Sequence, residues 1–151
     1  MLTDGQRSFL GVVITMIEEK MKAVEWRMAH PEEQGLTFEI RNDLTPDMAG
    51  ALHTRVEAVY ALVRVVRDRL MLPREVRYAT RDILKGLPQL WVALQESDSK
   101  SLGRYGSVDP ALGPVLDPRI GTLACLLSEL QDIVLPGDQE RSSSGEVPKR
   151  G

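Results

Sequence analysis

Apolar residues recur at helical spacing in four stretches of the chain. In the first, Leu10, Ile14, Ile17, Met21, Val24 and Met28 alternate steps of four and three, which lines one seam of a helix. Thr3 with Gln6 three residues on forms a capping-box start, and Pro31 sets the limit. The second seam is Leu52, Val56, Val59, Val63, Val66 and Leu70, confined to a sector about 80° wide. Thr45, Pro46 and Asp47 open it, because the hydroxyl caps free N–H groups while proline sits in the first turn.

Pro73 ends that helix and is predicted to open a third, with Val76, Ile83, Leu87, Leu90 and Leu94 as its seam and Trp91 beside it. Gly86 and Pro88 interrupt the third seam. Since it stays in phase on both sides, the pattern predicts one helix kinked near Gly86-Pro88. The fourth begins at Asp117 with Pro118, runs through Ile120, Leu123, Leu127, Leu130 and Val134, and stops at Pro136 and Gly137. Four such helices predict an all-α fold, an antiparallel up-and-down four-helix bundle, as a single domain over 1–136. A polar, serine-rich stretch over 137–151 is predicted to be a disordered C-terminal tail.

Two connections stand apart. Leu36, Phe38 and Ile40 alternate with Thr37, Glu39 and Arg41, the period of a half-buried strand. With no partner strand evident, this segment is expected to lie as an extended loop over the bundle or to pair with its copy in a second subunit. Between Ser97 and Leu116, Asp109-Pro110 can start one helical turn before Gly113-Pro114, and the rest reads as irregular.

Composition narrows the class. The 151 residues are 42% hydrophobic and 27% charged with formal net charge −3, ordinary for a globular chain. One cysteine and two histidines exclude an internal disulfide and leave too few soft ligands for structural zinc, so a reducing, cytoplasmic setting is expected. The longest uncharged apolar stretch, Ser8 to Ile17, is about half of a membrane span. Glu18, Glu19 and Lys20 follow it where a signal peptide needs small residues. No membrane span and no secretion are expected.

The search for chemistry yields little. No Glu-x-x-His pair, nucleophile elbow or phosphate-binding glycine loop occurs. His53 and Glu57 share a helical face without a third ligand, and Cys125 lies near Glu129 and Asp132 without a histidine. No catalytic residue, metal ligand or cofactor site is assigned, and the chain reads as a non-enzyme more readily than as an enzyme.

Charge and surface patterning carry more. Arg55 to Lys85 holds eight basic and four acidic residues, while both flanking segments are net acidic. On the predicted third helix, Arg74, Arg77, Arg81 and Lys85 fall within about 80° of one another, with Tyr78 at their edge. Such a stripe suits an anionic partner, nucleic acid or an acidic protein surface. The first helix is apolar beyond its seam: Phe9, Val12 and Met16 project away from it, with Trp26 almost opposite. That second face is covered internally by the 36–40 segment or forms an interface with another copy. The expected function is therefore a protein–protein interaction or regulatory adaptor module, homodimeric through the first helix and meeting another protein. An anion binder acting through the basic stripe is the alternative. A small-ligand-binding or enzymatic bundle, with a pocket near the kink lined by Trp91 and Tyr60, comes third.

Overall fold

The computed structural model describes residues 2–144, with side chains described for 2–136. The chain is mostly helical, with elements in the order α1 (Asp4–Ala29), β1 (Glu33–Gln34), β2 (Glu39–Ile40), α2 (Pro46–Leu70), α3 (Ala79–Leu84), α4 (Leu87–Gln95), α5 (Ser99–Leu102), one 3-10 turn (Gly103–Tyr105) and α6 (Leu112–Ser144). By its internal packing it falls into two compact units, one through Glu75 and one from Val76 onward.

The first unit is a helical hairpin. Thr3 accepts from the Gln6 N–H at 3.1 Å while the Gln6 side chain accepts from the Thr3 N–H at 2.9 Å, closing the expected capping box. Thr45 caps α2 through the Met48 N–H at 3.2 Å. In both helices the predicted seam is the half-buried face; Val56, at 4% exposure, is its driest point, and only Ile17 lies at the exposed margin. The two seams pack α1 against α2. A cleft shared by the first turns of α1 and by Pro73–Glu75, just beyond α2, shows that the N-terminal end of α1 lies beside the C-terminal end of α2.

Between the helices the chain forms its own two-stranded hairpin, with Glu33 opposite Ile40 and Gln34 opposite Glu39. Neither expected fate of the 36–41 segment, a loop over the bundle or a strand paired across subunits, describes it. Its partner is the polar Glu33-Gln34 pair, which has no apolar pattern to reveal it. A Cβ on Gly35 would stand 2.7 Å from the exposed Phe38 ring, so a larger residue there would push that ring aside.

The C-terminus of α2 closes through Met71 in the left-handed conformation (φ 53°), with the Leu72 N–H donating to the Arg67 carbonyl at 2.9 Å. This arrangement seats Leu72 at 7% exposure and resembles a Schellman cap with an unusual residue at its glycine position. Met71→Gly removes the Cβ penalty and is expected to stabilise the first unit by about 1 kcal/mol. The measurement is a thermal melt, and a lower Tm would contradict this account of the cap.

The third predicted helix does not form as drawn. Residues 72–78 form no regular element, and α3 begins only at Ala79. The physical reason lies at the expected cap: Leu72 has no side-chain acceptor, and its burial ends the preceding helix instead. The kink near Gly86-Pro88 is a full break. Lys85 is extended (ψ 124°), Gly86 is left-handed (φ 87°), and α4 restarts with Pro88 in its first turn.

In the second unit α3, α4 and α5 all pack against α6. The latter starts at Leu112, five residues before the predicted Asp117, because Asp109 satisfies the Ala111 N–H at 2.9 Å and Pro114 fits the first turn. Asp117, freed from capping, accepts from the Ser99 N–H and hydroxyl, each at 2.7 Å. Gly113 permits this tie, since a Cβ there would meet the Ser99 Oγ at 3.3 Å. Ala124, at 5% exposure, is the dry centre of α6. The helix continues through Pro118 and past the predicted stop at Pro136 to Ser144. The side chains of the predicted tail, and all of 145–151, lie outside the described residues.

Candidate interaction surface

Only Val56, Leu72 and Ala124 are buried among the described residues, while many large apolar side chains are exposed. On α1, Phe9 is 72% and Met16 61% exposed, Val12 and Trp26 are exposed as well, and Phe38 of the hairpin does not cover them. Internal coverage by the 36–40 segment is therefore absent. Trp26 belongs to a different arrangement from Phe9 and Met16: its ring stacks on His30 at 3.8 Å, and the same turn holds Arg27 against Glu33 at 3.0 Å. At 100° per residue it sits about 80–100° round α1 from those two side chains.

One side of the hairpin is closed by polar groups. Tyr60 of α2 donates a short hydrogen bond to the Glu25 carboxylate of α1. Dehydration of the ring and this bond, with Glu25, Glu18 and Glu57 nearby, push its phenol up to about 12 from 10.0. The folded chain therefore keeps this proton to higher pH than an unfolded one. The bond's contribution to stability is whole below the unfolded value near 10 and is lost as pH rises toward 12. The stability difference between wild type and Tyr60→Phe is expected to shrink as denaturant titrations move from about pH 8 to about pH 11; a constant difference would contradict it.

The same polar side carries a cleft of about 360 Å³ lined by Asp4, Arg7, Ser8, Gly11, Val12, Thr15 and Pro73 to Glu75. Arg7 Nε is buried there without a hydrogen-bond partner. A second, apolar depression of about 380 Å³ is lined by Leu44, Met48, Ala51, Leu52 and Arg55.

The predicted basic stripe loses its helical basis. Arg74 lies in the first unit, in the irregular segment after α2; Arg77 and Tyr78 precede α3, Arg81 lies on it, and Lys85 is its C-terminal cap. Of these, Arg77, Tyr78 and Arg81 have interactions within the protein. The other sequence candidates stand alone: His53, Glu57 and Cys125 are exposed, and no cluster of three metal-ligating side chains occurs among the described residues. Trp91 is on α4 at 41% exposure, and Tyr60 is engaged with Glu25. Near α5, hydrogen bonds from the Ser101 hydroxyl and N–H hold the Asp98 carboxyl below its usual range, a capping role.

Sequence reasoning missed Leu62 and Val65 of α2, exposed at 64% and 47%. Their signal was present, since with Ala51 and Ala58 they form a second apolar stripe beside the α2 seam, as Phe9 and Met16 do on α1. No helix among the described residues is long and apolar enough to cross a membrane. Comparison with family models, with curated proteins and with solved structures finds no match.

Proposed function

We propose that the protein is a non-enzymatic interaction module, a cytoplasmic adaptor or regulator that self-associates through the second face of α1 and meets another protein. The observation that carries this reading is the exposure of Phe9, Val12 and Met16 on α1 of the first unit. Large apolar side chains gathered on one helical stripe lower their free energy when a partner removes them from water. Twofold association is the commonest way for a chain to supply that partner. The antiparallel four-helix arrangement foreseen from the seams belongs to this proposal too, since a two-helix hairpin encloses no core of its own.

A second reading has one observation in its favour. Arg74 shares a cleft with Arg7, whose buried Nε has no partner, and a small anion held there would satisfy it. Native mass spectrometry of protein purified gently at low salt separates the readings. A bare dimer of the 16.8 kDa chain is expected. A bare monomer contradicts self-association, and a monomer carrying phosphate or nucleic acid favours the anion reading.

A further inference from the structure

The cleft beside α1 brings together groups that the self-association reading leaves unused. It is lined by Arg7, Ser8 and Thr15 of α1 and by Arg74 after α2, with Asp4 and Glu75 on its walls, and holds about 360 Å³. All of these residues lie in the first unit. The volume is at the small end of ligand sites. Arg7 is half-buried, and its Nε is shut off from water with no hydrogen-bond partner. A guanidinium N–H left dry and unmet is a standing cost to the fold, which an acceptor from outside the chain removes. Neither Arg7 nor Arg74 enters an ion pair among the described residues.

The chemistry of the walls narrows the acceptor. A guanidinium presents parallel N–H groups that match two oxygens of one carboxylate or phosphate, and Ser8 and Thr15 add hydroxyl donors. Asp4 and Glu75 balance the two arginines, so the cleft has no net charge. A second negative charge on the ligand would have no cation left to offset it, which favours a singly charged carboxylate over a doubly charged phosphate. Residues 73–75 belong to no helix or strand, so this wall can shift to let an oxygen reach the Arg7 Nε.

We propose that this cleft binds a small carboxylate ligand, its carboxylate gripped by Arg7 and Arg74. The proposal deepens the anion reading above, on which it rests, and is independent of self-association through α1. So small a group, held by two guanidiniums and two hydroxyls, corresponds to a dissociation constant of about 10 mM for acetate alone. An ion held that weakly is lost on purification, so the bare mass expected of the purified chain is unaffected.

The probe is sodium acetate, titrated into the full ¹⁵N-labelled chain against sodium chloride at constant ionic strength while NMR follows the arginine Nε–H signals and the Gly11 amide. The Arg7 signal moves and saturates with a midpoint of about 10 mM acetate. Arg7→Gln and Arg74→Gln each weaken binding, read at the Gly11 amide, by about tenfold or more. Arg74 is exposed, so its variant keeps the fold and decides the matter even if Arg7→Gln does not. Phosphate at about pH 8 binds more weakly than acetate. If phosphate saturates the Arg7 signal at lower concentration than acetate, the carboxylate assignment is overturned while the anion reading stands. If acetate or phosphate saturates other signals and leaves Arg7 and Gly11 unmoved, or binds alike to wild type and Arg74→Gln, the cleft is overturned as the site. If neither saturates any signal, the proposal and the anion reading fall together.

Discussion

Replacing Val56 by aspartate is expected to unfold the first unit. Val56 is the driest side chain of the α1–α2 seam, at 4% exposure among apolar seam residues. An unpaired buried charge costs about 3–5 kcal/mol, against a total stability of about 5–15 kcal/mol for a whole domain. A two-helix unit lies at the low end of that range, so the substitution removes most or all of its margin. Circular dichroism then shows the loss of the helical signal of α1 and α2. An unchanged melting curve would mean that the seam does not hold the hairpin together.

The second large effect is expected from Ala124→Leu. Ala124 is 5% exposed where α6 meets the helices packed on it. Three added carbons have no space to enter, and overpacking of this kind costs about 1–3 kcal/mol. The denaturant midpoint should fall, while Leu123→Ala at the exposed neighbouring position leaves it nearly unchanged. Equal effects at the two positions would contradict the orientation of α6.

That orientation also shows where the sequence stops being legible. On α1 and α2 the large apolar residues of the seam coincide with the half-buried face, so periodicity finds both helices and their caps. On α6 large apolar residues lie on more than one side: Leu123 and Leu130 of the predicted seam are exposed, and a small alanine sits at the centre. Alanine contributes little to a hydrophobic period, yet close packing selects it. The missing third helix has a different cause. The αL cap at Met71 and the buried Leu72 end the helix and lead into an irregular segment, and that choice depends on packing beyond the window in which periodicity is read.

The interaction face was half legible for the same reason. Phe9 and Met16 stand out because they lie clear of a strong seam on one helix. Trp26 is marked for an interface by size and position on the helix, and its exposed ring is stacked on His30 at the end of α1.

The central claim, that a second copy covers the Phe9, Val12 and Met16 stripe of α1, is tested most directly by intermolecular paramagnetic relaxation. A nitroxide is placed on a Met16→Cys, Cys125→Ser chain and mixed with an unlabelled-spin chain whose leucine and valine methyl groups carry ¹³C. The account predicts that the Val12 methyl signals of the second chain broaden. Unbroadened Val12 signals in a mixture shown to contain dimers would contradict it.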